Sequence, residues 1–163
     1  MLTRIGALAA LLTILITAGA QAEQTGGATF STTTPGATAV LSGNGRTALA
    51  PENAPIRVKR AIHAANRITK KPYRWGGGHA TFKDTGYDCS GSVSYVLHRA
   101  GLLRTARDST GFMSYGRSGK GRWISVYAHG GHAYMVIAGL RFDTSGSGED
   151  GPRWRTEARS PRC

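Results

Sequence analysis

The sequence predicts an α+β domain in which helices come first and pack on an antiparallel β-sheet. Two observations carry this. Across residues 56–100 apolar side chains recur at helical spacing, and from Trp123 onward the period changes to two. Helices and strands segregated along a chain in this way mark α+β rather than alternating α/β architecture. At 163 residues there is room for one such domain at most.

Taken in order, residues 1–22 read as a secretory signal peptide. Arg4 supplies the positive charge, residues 5–18 are almost wholly apolar, and Ala20-Gln21-Ala22 fits the small-x-small cleavage pattern. That apolar run is short for a membrane span of about 20 residues. No second run is long enough to cross a bilayer, so the mature protein is expected to be exported, with no transmembrane span. Residues 23–53 are rich in Gly, Thr, Ala and Ser and lack hydrophobic periodicity, which predicts a flexible linker. Residues 54–145 are the expected domain, and 146–163 a polar C-terminal tail.

Within the domain, Val58, Ala61, Ile62, Ala65 and Ile68 form one apolar stripe of a helix expected over 56–71 and stopped by Pro72. His63 falls beside the stripe, at a surface or packing position. A turn-rich run follows, Pro72-Tyr73-Arg74-Trp75-Gly76-Gly77-Gly78. Its glycines lack a phosphate-loop pattern and are expected to allow close backbone approach beside the next element. His79 and Asp84 lie in the following loop, where His79 reads as solvated. Val93, Val96, Leu97 and Ala100 then take the positions i, i+3, i+4 and i+7 of an amphipathic helix. Cys89 stands at or just before its first turn, His98 is expected to face solvent, and Gly101 ends it. Asp108 suits the cap of a short helical turn toward Tyr115. Strands are expected over 123–128, 132–138 and 140–144, with His129-Gly130-Gly131 as the first turn and Gly139 in the second.

The formal charge is +12, and loss of Arg4 with the signal leaves 20 basic against 9 acidic residues, a balance of +11. This predicts attraction to polyanions, which for an exported protein are anionic cell-wall polymers or lipid head groups. There is no zinc-finger spacing and no aromatic-basic RNA-binding signature, so nucleic acid is not an expected partner. Two cysteines in an exported chain invite a disulfide. Cys163, however, is the last residue, behind a polar Gly/Pro/Arg-rich stretch where a bridge would tie down little. Cys89 is therefore expected to be free. The histidines lack metal-ligand spacing and two cysteines are too few for a Cys-rich zinc site, so no metal or other cofactor is expected.

A thiol at a helix N-terminus sits against unpaired backbone N–H groups and the positive end of the macrodipole, and both favour the nucleophilic thiolate. Such a thiolate needs an imidazole, and the imidazole an orienting acceptor. His132, fixed by a strand, is the candidate base; His129, before a Gly-Gly turn, is the alternative. Strand parity supplies the third group. If Ala138 and Gly139 form a two-residue turn, residue 143 pairs with residue 134. Asp143 then shares a face with His132 at a diagonal offset of roughly 7–8 Å. A three-residue loop would bring Thr144 to that face instead, a weaker acceptor.

Tyr73-Arg74-Trp75-Gly76-Gly77, then Asp88-Cys89-Ser90-Gly91 with a following helix, then Gly131-His132 opening an apolar strand, together resemble the NlpC/P60 cell-wall peptidases. The resemblance spans residues 56–144. It implies a papain-like core and hydrolysis of peptide bonds in peptidoglycan stem peptides, commonly the bond between D-glutamate and a diamino acid. It implies a nucleophile at Cys89, a base at His132 and a third polar position near Asp143. It also implies a hydroxyl beside the nucleophile at Tyr73, and substrate-pocket contacts at Asp88 and Ser90. The chain departs from the family pattern where Gly121-Arg122-Trp123-Ile124 replaces a Pro-Gly-Asp turn, and where an aspartate occupies the third position.

The function expected from the sequence is thus a secreted cysteine peptidase acting on peptidoglycan through Cys89, His132 and Asp143. Two alternatives stand beside it. One is a non-catalytic wall-binding module on the same fold, consistent with the two departures. The other keeps the Cys-His chemistry in a CHAP-type amidase or an acyl transferase.

Overall fold

The computed structural model describes residues 38–145, 151–156 and 159. The expected signal peptide and Cys163 lie outside the described residues, as do residues 23–37 of the expected linker. The described residues form a mixed α+β structure with antiparallel sheets. A small hairpin, β1 (Val40–Leu41) and β2 (Ala48–Leu49), comes first. Three helices follow, α1 (Ile56–Ile68), α2 (Cys89–Arg99) and α3 (Ser109–Phe112). A meander closes the chain, with β3 (Ile124–His129), β4 (His132–Ile137), β5 (Leu140–Asp143) and β6 (Arg153–Arg155) adjacent in that order.

The helical stripes meet one face of this sheet. Val58, Ala61, Ile62, Ala65 and Ile68 of α1 are buried with Val93, Val96 and Leu97 of α2. Opposite them lie Ala133, Met135 and Ile137 of β4, Phe142 of β5 and Trp154 of β6, at alternate strand positions as the period of two requires. α1 ends at Ile68, three residues short of the expected 71. Pro72 disfavours helical geometry at Lys71, and the Lys71 N–H closes a turn onto the Ile68 carbonyl instead. Gly101 has φ of +73° and ends α2 as expected.

The β3–β4 and β4–β5 turns have two residues each. His129 belongs to β3 and pairs with His132, so the first turn is Gly130-Gly131 rather than the expected three residues. Ala138 and Gly139 form the second, with φ of +45° and +85°, the left-handed pair of a type I′ turn. Alanine there costs about 1 kcal/mol. The turn is held from both sides: the Ala138 N–H donates to the Trp123 carbonyl, and the Ala138 carbonyl accepts the N–H of Ala39. Met135 pairs with Phe142, so the register runs on to put Asp143 across from Tyr134.

Two segments differ from the sequence expectation. Residues 38–53 are not a linker. Asn44 Oδ1 accepts the N–H groups of Arg46 and Thr47, closing the β1–β2 turn. The Asn66 side chain of α1 pairs with both the N–H and the carbonyl of Ala48, each at 2.9 Å. The Gly, Thr and Ser that resemble linker composition are here the residues of a tight turn. Nor is the C-terminal stretch wholly a tail, because β6 extends the sheet. Trp154 is 4% exposed, its ring lies 5.0 Å from that of Phe142, and its indole N–H donates to Asn66 Oδ1 at 2.8 Å. Asn66 thus joins β2, α1 and β6. Gly151, at φ of +68°, lies against the backbone of Lys71 and Tyr73, where a side chain would collide.

Trp154→Ala should cost about 3–5 kcal/mol in urea unfolding, as for other large aromatic truncations in cores. A loss below about 1 kcal/mol would mean that β6 is not part of the folded core.

Candidate active site

Cys89 is the first residue of α2, and the preceding residue sets its position. The Asp88 backbone is extended, and its Oδ1 accepts the N–H of Gly91 at 2.7 Å, an N-cap. Its Oδ2 accepts the N–H of Gly76 at 3.0 Å, which draws the glycine run onto the helix start. A methyl group at Gly91 would overlap the Gly77 carbonyl oxygen, and one at Gly78 would press on the Tyr87 ring. The expected close approach therefore takes place between Gly77 and Gly91. Tyr73 bridges to Tyr87 in the same wall, with the Tyr87 N–H donating to Pro72 and the Arg74 N–H to Tyr87. Its hydroxyl pKa is raised, first by burial and then by the Cys89 and Asp88 charges.

The Cys89 thiol is free and 8% exposed. Burial pushes its pKa up. A hydrogen bond with the His132 ring, the N–H of Ala133 and the imidazole charge pull it down and prevail. His132 opens β4 and donates from Nε2 to Asp143 Oδ1 at 2.8 Å. Burial favours the neutral ring, but Asp143 and Cys89 together raise the His132 pKa to about 9. Asp143 closes β5 with its side chain fully buried. Burial opposes its charge; His132 and both the N–H and the hydroxyl of Ser145 outweigh that and hold it well below the usual carboxylate range. The carboxylate is hydrogen-bonded to the imidazole, and the imidazole acts in turn on the sulfur, an arrangement that favours thiolate and imidazolium.

The two-residue turn brings Asp143, not Thr144, to His132. His129 pairs across from His132, but its Nδ1 accepts the Gly131 N–H at 3.2 Å, so its ring closes the turn. Asp88 and Ser90 are 7% and 4% exposed, and their polar atoms are engaged internally. Asp88 caps the helix, while the Ser90 hydroxyl lies 3.3 Å from both Asp88 and His79. Both flank Cys89, with Asp88 capping its helix. His79 is not simply solvated, since Nε2 lies 3.0 Å from Asp88 Oδ1. Nor does His98 stand free in solvent. It stacks on Phe82 at 3.8 Å and donates to the Leu103 carbonyl.

Three partners escape a sequence reading: the Ala133 N–H on the sulfur, Ser145, and Arg159, whose Nη1 donates to Asp143 Oδ2 at 3.1 Å. Only Ser145 has a local signal, a hydroxyl two residues beyond an aspartate. Beside β3 lies a cavity of about 400 Å³ lined by Met113, Tyr115, Arg117, Tyr127 and Ala128, among others. Ala128 pairs with Ala133, so the cavity borders the strand pair that carries the imidazole.

Comparison of the chain with family models, with curated proteins and with solved structures gives no match.

The charge pattern fixes a pH dependence. Thiolate forms as pH rises through the lowered Cys89 value, so iodoacetamide alkylation of Cys89 should have its midpoint below pH 8.5, the ordinary value of a free cysteine. In Asp143→Asn the imidazole loses its anionic partner, gives up its proton at lower pH and ceases to support the thiolate. The midpoint should then rise, and an unmoved midpoint would show that Asp143 does not act on the pair.

Proposed function

We propose that this chain is an exported cysteine peptidase of the NlpC/P60 kind, with a papain-like core, that hydrolyses peptide bonds in peptidoglycan stem peptides. The observation that carries the reading is His132, hydrogen-bonded to the buried Asp143 and pulling the Cys89 pKa down. A helix-borne thiol packed against a strand-borne imidazole is the arrangement that papain-like catalysis uses. The resemblance at residues 73–77, 88–91 and 131–132 supplies the substrate class and the favoured D-glutamyl–diamino acid bond.

In this mechanism the Cys89 thiolate attacks the amide carbon and the carbonyl electrons move to oxygen. The N–H groups of Cys89 and Ser90 lie in the first turn of α2, where no intrahelical acceptor exists, and the Cys89 N–H is the donor suited to that oxyanion. The His132 imidazolium gives its proton to the departing amine, leaving a thioester. His132, now neutral, takes a proton from water, whose oxygen attacks the thioester and releases the acid and the thiolate. Asp143 keeps the ring oriented throughout. Residues 1–22 would direct export, and the +11 balance would concentrate the protein on anionic wall polymers.

The lowered Cys89 pKa argues against a purely wall-binding module, since binding needs no ionised thiol. A CHAP-type amidase or an acyl transferase would use the same pair, and product masses from defined muropeptides separate these outcomes.

Purified wall should release free amines on incubation with the chain, and Cys89→Ala or His132→Ala should lower the rate by at least about 1,000-fold. Undiminished release by Cys89→Ala would contradict the proposal. Activity should also fall as pH passes about 9, where the imidazolium loses the proton destined for the leaving amine. A rate still climbing well above that pH would count against His132 as the acid.

A further inference from the structure

The imidazole uses one oxygen of Asp143, and the other is also held. Oδ1 accepts from His132 at 2.8 Å and from the Ser145 N–H at 2.9 Å. Oδ2 accepts the Ser145 hydroxyl at 2.7 Å and Arg159 Nη1 at 3.1 Å. The same Arg159 nitrogen reaches Ser145 Oγ at 2.6 Å. The guanidinium also lies 5.5 Å from the centre of the Tyr134 ring, and that ring stacks near His132 with 6.3 Å between centres. Arg159 therefore touches both supports of the imidazole, the carboxylate that accepts from it and the aromatic ring beside it.

We propose that Arg159 is a positioning residue that holds Asp143 by the oxygen His132 leaves unused and thereby sets the pH at which the Cys89–His132 pair becomes charged. The inference rests on the reading of Cys89, His132 and Asp143 as a working set. Of the two donors to Oδ2, the Ser145 hydroxyl and Arg159, only Arg159 brings a charge. The one Nη1 amino group of Arg159, with its two N–H bonds, spans two neighbouring oxygens, Asp143 Oδ2 and Ser145 Oγ. Its charge matters as well. A cation near the pair favours thiolate, so its loss shifts thiol ionisation to higher pH.

Other charges share this neighbourhood. On the sheet, Arg141 Nε lies 3.7 Å from Asp143 Oδ2, and Arg153 and Arg155 of β6 pair with Asp143 and Arg141. His129 lies across from His132 on β3, and the Asp88 charge opposes the thiolate while the Cys89 charge raises the Tyr73 pKa. Arg141 does not duplicate Arg159, because its Nε makes no hydrogen bond at this distance.

The test is iodoacetamide alkylation of Cys89 against pH in the full chain, alongside Arg159→Gln and Arg159→Lys. Glutamine removes the charge and should raise the midpoint by about half a pH unit. Lysine keeps the charge and a single amino group to reach the same two oxygens, and should stay within about 0.2 unit of the parent. A glutamine midpoint coincident with the parent's overturns the proposal, even if the melting temperature falls, because that is the mark of a simple brace. A lysine midpoint displaced as far as glutamine's overturns it too. Alkylation needs no substrate, so the two readings fail separately. A parent chain whose Cys89 alkylates below pH 8.5 but which releases nothing from wall would defeat the peptidase reading, and the Arg159 comparison would still stand on its own readout.

Discussion

A fully buried carboxylate governs this structure. An ionised group without water is stable only if charge and hydrogen bonds replace the lost hydration, and Asp143 gathers four such bonds. One of them comes from His132. The imidazole that satisfies Asp143 is thereby held protonated, and a protonated imidazole against a thiol favours thiolate. The charge on the sulfur is in this sense decided one residue beyond its own contact, at the end of β5.

The rest of the fold brings these groups together from distant parts of the chain. The Ala138-Gly139 turn sets the strand parity that puts Asp143 on the His132 face, and one more residue in that turn would remove it. At the other side of the site, Asp88 ties the glycine run to the first turn of α2, and two glycines let backbone meet backbone there. That fixes both the helix end and Tyr73. The site is thus pinned by a turn on the sheet and by a cap on the helix, with Ala133 N–H reaching the sulfur between them.

Much of this was legible in the sequence where the controlling interaction is local. The stripe from Val93 to Ala100 located the helix of Cys89, Asp108 capped α3 as expected, and strand parity narrowed the imidazole's acceptor to Asp143 or Thr144, which the two-residue turn then decides. What stayed hidden depends on partners far apart in sequence. The β1–β2 hairpin looks like linker until Asn66, 18 residues beyond Ala48, pairs with its backbone. Trp154 looks like part of a polar tail until its indole finds the same Asn66, 88 residues away. Asp88, Ser90, His79 and His98 have polar side chains that suggest contact with solvent or substrate. Each is instead engaged with a neighbour that the fold supplies, and the Arg159 contact with Asp143 has no local signal at all.

The central claim is that His132 carries a proton at neutral pH because it stands between a thiolate and a buried carboxylate. Nitrogen-15 NMR of the histidine ring in the resting protein tests this most directly. The account predicts that both His132 nitrogens are protonated at pH 7, and that Cys89→Ala lowers the pH at which the ring loses its proton, since one of its two anionic partners is gone. A neutral, singly protonated His132 ring at pH 7 would contradict the account.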